Sequence, residues 1–291
     1  MGVQGVQGSW GEIPKNKPLN PRTLESSNPF LKMKPLHSWN VSVEEAIQIQ
    51  EALKDWIILK NTFSKVHPVR NSSRALNPTR IIMGSNSTTG GTGEQRGIIS
   101  NGVKTIGGGD VAYSKKGDLL FGAMVVLSFP DMKILDTATA NGKIPFPYIP
   151  TLLSFREGPI LIKTFKTLKI KPDVMMYDGQ GIAHPRGMGL ASHMGLWLNL
   201  PSIGCAKTPL IDEFTFPGSL KGSVEWIQRE DRKVGAVLRT KNKVKPVFVS
   251  PGHRIDLMTS VRIVLESCQG FRIPEPLRHA HQLAERLGRS A

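Results

Sequence analysis

Between Lys104 and Ala140 three apolar runs follow one another with almost nothing between them. "KTIGGGDVAYS" is joined to "DLLFGAMVVLSF" by a Lys-Lys-Gly-Asp turn, and "MKILDTATA" follows across Pro130-Asp131. Connections this tight predict three consecutive strands in an antiparallel meander. The chain then alternates. Ile160, Ile162, Phe165 and Leu168 predict a helix, with Pro159 well placed as its first residue. "DVMMYDGQG" predicts a buried strand ending on Asp178, "MGLASHMGLWLNL" a helix and "SIGCAK" a short strand. "VGAVLRT" and "PVFVS" predict later strands, and two helices close the chain near Asp256 to Ser267 and Pro276 to Leu287. Strand-strand-strand-helix-strand-helix-strand implies an α/β fold, with helices covering a mixed sheet.

Upstream, Ser42 and Glu45 form an S-x-x-E capping box that starts a helix. Its buried face is predicted to be Ala46, Ile49, Leu53, Trp56 and Ile57. Residues 1–35 are rich in Gly, Pro and Asn and are expected to be an irregular extension. Residues 36–291 are expected to form a single domain. Ser, Asn, Thr and Gly dominate the segment at about 64–102, which is expected to be a flexible insertion.

The net charge of +15 favours a polyanionic partner, most simply nucleic acid. Much of this charge lies outside any tail. Cys205 and Cys268 are the only cysteines and form no C-x-x-C, so they are expected to be buried free thiols in a reducing cytoplasm. No apolar run is long enough to predict a membrane span, and residues 1–22 lack the apolar core of a secretory signal.

Two carboxylates stand in apolar surroundings. Asp110 lies inside a strand, and Asp178 stands where a strand gives way to Gly-Gln-Gly. A carboxylate on a central strand is costly to bury unless it is paired or bound to metal, and open α/β sheets place their ligands at strand C-terminal ends. With Glu157 they make a hard, all-oxygen set that suits Mg²⁺. Such an ion can activate water and stabilise a leaving oxygen in phosphodiester cleavage. A simple turn-capping role for Asp178 stays open on spacing alone.

In the last helix Leu277, Ala280, Ala284 and Leu287 mark the buried face. His281 lies about 40° from Leu277, at its edge, and His279 at about 200°, toward solvent. His281 is therefore the better candidate to reach an internal site, beside the ordinary structural role of a core-edge histidine. No zinc spacing, phosphate-binding loop or dinucleotide fingerprint occurs.

The stretch "PFPYIPTLLSFREGP" sets Tyr148 between Pro147 and Pro150, directly before Arg156 and Glu157. Proline fixes φ and disfavours helix in the residue before it, so Tyr148 is expected on a stiff extended turn. It is either presented outward or tucked onto the core.

Together these residues resemble the endonuclease V (deoxyinosine 3′-endonuclease) family. The resemblance runs from about Leu36 to Leu287. It rests on "GGGDVAYS", "PYIPTLLSFREGP", "KPDVMMYDGQGIAHPRGMGLASHMGL", "PSIGCAK", "FVSPGHRID" and "RIPEPLRHAH", in the family's order. It implies an RNase H-like mixed sheet flanked by helices. It also implies Mg²⁺-dependent nicking of DNA containing deoxyinosine, at the second phosphodiester 3′ to the hypoxanthine. By the same resemblance Asp110 and Asp178 are the metal-binding aspartates, and Glu157 and His281 complete the catalytic set. Tyr148, with Pro147, Ile149 and Pro150, is the wedge that parts the strands. His184 and Lys207 line the active site and lesion pocket. The alternatives are an inosine-specific endoribonuclease, whose 2′-OH contacts the sequence does not reveal, and a catalytically silent nucleic-acid-binding module. Asp110, Glu157, Asp178 and His281 occurring together argue against the silent module. No heptad or repeat suggests assembly, so a monomer is expected.

Overall fold

The computed structural model describes residues 35–62 and 102–291. Apart from Pro35 and Gly102, the segments 1–35 and 64–102 expected to be an extension and an insertion lie outside the described residues.

The predicted meander is present. Strands β1 (Thr105–Tyr113), β2 (Leu119–Ser128) and β3 (Ile134–Lys143) pair antiparallel in sequence order. Helix α2 (Leu153–Thr167) carries the chain to β4 (Val174–Tyr177), which lies parallel to β1. Helix α3 (Leu190–Leu198) leads to β5 (Ser202–Ala206), parallel to β4. Strands β6 (Val224–Arg229), β7 (Arg232–Leu238) and β8 (Val247–His253) complete an eight-stranded sheet of order β3-β2-β1-β4-β5-β8-β7-β6. Helices α4 (Leu257–Glu266) and α5 (Glu275–Arg289) follow. This is the mixed sheet that the element order implied, in the RNase H-like form that the resemblance implied.

Alternation along each strand divides the core. Ile106 of β1, Val174 and Met176 of β4, Ile203 and Cys205 of β5 and Val249 of β8 form one cluster with Val261 and Val264 of α4 and Leu277 and Ala280 of α5. The opposite face meets α2: a Cβ on Gly122 of β2 would run into Thr164 and Ile160. Gly108, in the middle of β1, is a close-approach glycine. A Cβ there would collide with the Pro276 carbonyl, so its absence lets the first turn of α5 press onto the strand.

Helix α1 (Val43–Leu53) starts at the predicted capping box. Ser42 Oγ accepts from Glu45 N at 3.1 Å, and Glu45 Oε2 accepts from Ser42 N at 2.7 Å. Its apolar face ends sooner than predicted. Trp56 lies in a 3₁₀ turn, Lys54–Trp56, and is 50% exposed; the tighter winding carries it off the buried stripe.

Pro159 is not a first helical residue. It sits inside α2, which begins six positions earlier at Leu153. Leu152 and Phe155 are buried, and Phe155 N donates to Leu152 O at 3.0 Å, so apolar anchoring starts the helix directly after the proline clamp. Proline there forfeits one backbone hydrogen bond, but Glu157 thereby becomes a helical residue facing inward. Strand β6 was not predicted. It is a half-exposed edge strand with the sequence VEWIQR, too polar to stand out by periodicity.

Candidate active site

The β1–β4 ladder ends at the pair Gly109 and Tyr177. Asp110 is the next residue of β1 and Asp178 the first beyond β4, so the parallel register sets them side by side on the same face. Lys207 follows the last residue of the neighbouring parallel strand β5 in the same way. Each carboxylate has a cationic or imidazole partner. His281 Nδ1 lies 2.7 Å from Asp110 Oδ2, and Lys207 Nζ donates to Asp178 Oδ2 at 2.5 Å. Burial, and then the Asp178 charge, push the Asp110 carboxyl above the usual range, against the His281 hydrogen bond. For Lys207, burial acts downward, but the Asp178 contact outweighs it and holds the ammonium above its usual value.

His281 reaches this pair because α5 is pressed onto β1 at Gly108. Its side chain is 50% exposed, whereas that of His279 is 27% exposed and lies with Nε2 3.3 Å from Glu275 Oε2. The expectation that His279 is the solvent-facing one is therefore reversed, although His281 is the histidine that meets a site carboxylate. Glu275 and Arg278 of the same helix, both in contact with the His279 ring, cover the side where His279 lies.

Glu157 projects from α2 beneath these residues and is almost fully buried. Burial pushes its carboxyl up to about 8; the Tyr113 hydrogen bond opposes this, and the charges of Asp110 and Asp178 add to it. Tyr113 Oη donates to Glu157 Oε1 at 2.9 Å and accepts from Arg156 Nε at 3.0 Å. Burial, reinforced by the Glu157 charge, pushes the Tyr113 phenol up to about 12.

Among the described residues no three His, Cys, Asp or Glu side chains converge to enclose an ion. The donor chemistry nevertheless fits Mg²⁺, which takes one or two carboxylates and completes its shell with water and substrate phosphate. Asp110 and Asp178 supply two hard oxygen donors on one rim, with the buried Glu157 carboxyl close enough to feel both of their charges.

The clamp presents Tyr148 outward. Tyr148 is 68% exposed, with Pro147 and Pro150 also exposed. Phe146 and Ile149 on either side pack with Leu152, Phe155 and Trp39. The reading in which the aromatic tucks onto the core is thus excluded. At the end of the clamp Thr151 has φ +73°, unusual for a β-branched residue. Its carbonyl accepts from Gln50 Nε2 at 3.0 Å, His184 Nε2 at 3.0 Å and Arg186 Nη2 at 3.2 Å. A carbonyl only accepts, so His184 carries its proton on Nε2, while Nδ1 accepts from Arg186 N. Burial holds this imidazole down at about 4, hence neutral.

Between clamp and carboxylates lies a cavity of about 180 Å³ lined by Thr151, Ser154, Asp178, Gln180, His184 and Thr208 among others. Lys207 lies beside it rather than in its wall. Gln180 Nε2 donates to the Thr208 carbonyl at 2.9 Å, which fixes the amide; its buried Oε1 has no partner among the described residues. Tyr113, Arg156 and Gln180 escaped the sequence reading. Arg156 was visible beside Glu157 but had no evident partner, and nothing in the local pattern marks the other two.

Residues 93–282 match the family model described as endonuclease V. The chain belongs to the endonuclease V family. An endonuclease V from Dehalococcoides mccartyi is 37% identical over 257 residues, covering 88% of this chain and 99% of that one. The crystal structure of endonuclease V from Streptomyces avermitilis superposes with a TM-score of 0.69 at 35% identity, over 86% of this chain and 94% of that one. A Ciona intestinalis endonuclease V was solved with a 23mer DNA containing an inosine followed by a ribo-adenosine. It has a TM-score of 0.65 at 29% identity, over 85% of this chain and 98% of that one. Membership makes the chain a DNA-repair nuclease and sets aside the silent binding module.

Proposed function

We propose that this chain is a Mg²⁺-dependent endonuclease that recognises deoxyinosine in DNA and nicks the second phosphodiester on its 3′ side. The observation that carries the reading is the juxtaposition of Asp110 and Asp178, the latter lining a cavity of about 180 Å³, with Tyr148 held outward three residues before Thr151 of the same lining. Separating a base from its stack costs a few kcal/mol. An aromatic held by Pro147 and Pro150, and anchored through Phe146 and Ile149, does not fold away when it meets stacked bases.

Asp110 and Asp178 are the residues that would hold the ion. When bound, such an ion supplies Lewis-acid stabilisation of phosphate charge and a more acidic water. His281 occupies one Asp110 oxygen and fixes that carboxylate's rotamer. Lys207 brings positive charge to the rim on which the scissile phosphate would lie. Glu157, its carboxyl pushed up to about 8, is suited to hold or release a proton near neutral pH. The net charge of +15 supplies sequence-independent phosphate affinity.

We further propose that 36–291 acts as one catalytic domain, as a monomer in a reducing cytoplasm. Both cysteines are buried free thiols, and among the described residues no helix is long and apolar enough to cross a membrane.

The test is a nicking assay on inosine-containing duplex DNA, single-stranded DNA and RNA, each with Mg²⁺ and with EDTA. Nicking of inosine DNA only with Mg²⁺ supports the reading. Cleavage confined to RNA would move the substrate to inosine-containing RNA, and cleavage that persists in EDTA would remove the metal.

A further inference from the structure

We infer that Tyr113 is a positioning residue through which the proline clamp sets the Glu157 carboxyl, so that strand opening and phosphodiester cleavage are linked. The inference rests on the reading above, in which the clamp parts the strands and Glu157 serves cleavage.

The link is a chain of directed hydrogen bonds. Arg156 Nη1 donates to the Phe146 carbonyl at 2.7 Å, and Arg156 Nε donates to Tyr113 Oη at 3.0 Å. Tyr113 Oη donates to Glu157 Oε1 at 2.9 Å. Guanidinium groups only donate, which fixes the direction of both Arg156 bonds, and the phenol donates to the Glu157 carboxyl when that group is ionised. Tyr113 Oη receives from Arg156, which leaves its own proton free to point at Glu157. The Arg156 guanidinium also stacks over the Tyr113 ring at 4.9 Å, so the pair moves as a unit.

Both ends of the chain matter. Phe146 immediately precedes Pro147, and its ring is buried against Phe155, 5.7 Å between centroids. A displacement of the clamp therefore shifts a carbonyl that Arg156 holds. At the other end Glu157 is buried with few alternative donors, so loss of the tyrosine proton leaves its oxygen to find another partner or turn away. Tyr113 also shares β1 with Asp110, three residues apart and so on opposite faces of the strand. One strand thus indexes both the aspartate and the hydroxyl that orients the second carboxyl.

A purely structural hydrogen bond would affect folding alone; a positioning role predicts a split in the kinetics. Tyr113→Phe keeps the ring and the guanidinium stack and removes only the hydroxyl. It should lower kcat by roughly 10- to 100-fold, the effect of a small misplacement of a reacting group. Affinity for inosine duplex, measured with Ca²⁺ in place of Mg²⁺, should stay within about twofold. Arg156→Lys keeps the charge but cannot bridge Phe146 and Tyr113, and should show the same split. The decisive measurement is a double-mutant cycle on kcat. Tyr148→Ala should lower kcat in the parent chain but add little in the Tyr113→Phe background. Strict additivity, an unchanged kcat in Tyr113→Phe, or equal losses of kcat and affinity would each overturn the inference. If Tyr113→Phe does not fold, the Arg156→Lys cycle decides by the same criteria. A parent chain that fails to nick inosine duplex would instead sink the functional reading, which separates the two failures.

Discussion

Asp110 and Asp178 stand side by side, each one residue beyond the last partners of the β1–β4 ladder. They are 68 positions apart in the chain, yet parallel register makes them neighbours on one face. Asp110→Asn and Asp178→Asn keep size and most hydrogen bonding but remove the charge that holds a cation. Several kcal/mol of transition-state stabilisation should go with it, which is about three decades of rate. Binding to inosine duplex should survive because it rests on phosphate and base contacts. Single-turnover nicking and filter binding of the same protein check this. Ordinary Mg²⁺-dependent turnover in either variant would remove these residues from the metal site.

Gly108→Ala is expected to damage the site without touching it. The new methyl would meet the Pro276 carbonyl, a backbone atom that cannot swing aside, so α5 must lift from β1. Overpacking of this kind costs roughly 1–3 kcal/mol, or several degrees of melting temperature for a domain of this size. His281 rides on the same helix, so its 2.7 Å contact with Asp110 should lengthen and nicking should fall more than stability alone explains. Wild-type melting and activity in Gly108→Ala would show that the approach of helix to strand is not needed.

What was legible in the sequence was what depends on near neighbours. The Ser42–Glu45 capping box spans three residues, and the β1–β3 meander is closed by tight turns, so both could be read directly. Asp110 and Asp178 could be singled out as costly carboxylates, but their adjacency depends on register across a crossover. Tyr113 carried no signal at all. Its partner Glu157 lies 44 residues away, and its outward appearance on β1 is that of an ordinary strand aromatic. Pro159 misled because proline is as compatible with a helix that began earlier as with one that begins there, and the apolar anchors Leu152 and Phe155 decided the start.

Glu157→Gln should trade activity for stability at high pH. In the folded state the carboxyl keeps its proton up to about pH 8, whereas the unfolded chain loses it near 4.5. Between these values unfolding releases a proton, so this group's contribution is favourable below about 4.5 and is lost as pH rises toward 8. Glutamine cannot ionise and can still accept from Tyr113. With EDTA present, the variant should therefore gain on the order of a few kcal/mol over the parent at pH 8.5 and little at pH 4.5, while nicking is abolished. Denaturant unfolding at the two pH values gives the comparison. An advantage of the same size at both pH values would mean the Glu157 carboxyl does not titrate between them.

Tyr148→Ala tests the clamp at its tip. The residue is 68% exposed and contributes little to the core, so stability should change by less than about 0.5 kcal/mol. Lys and Arg contacts to phosphate are untouched, so affinity for undamaged duplex and its salt slope should persist. What is lost is stacking, worth roughly 1–3 kcal/mol per base–aromatic contact, so preference for inosine duplex over undamaged duplex should fall by about one to two decades. Tyr148→Phe should keep most of the preference, since the exposed ring rather than the hydroxyl meets the bases. Both duplexes are titrated with Ca²⁺ in place of Mg²⁺ to suppress cutting. Equal losses on the two duplexes, or a phenylalanine variant as poor as alanine, would reduce the clamp to a rigid loop that merely leads into α2, and strand separation would then have to be sought among the Thr151, His184 and Arg186 contacts instead.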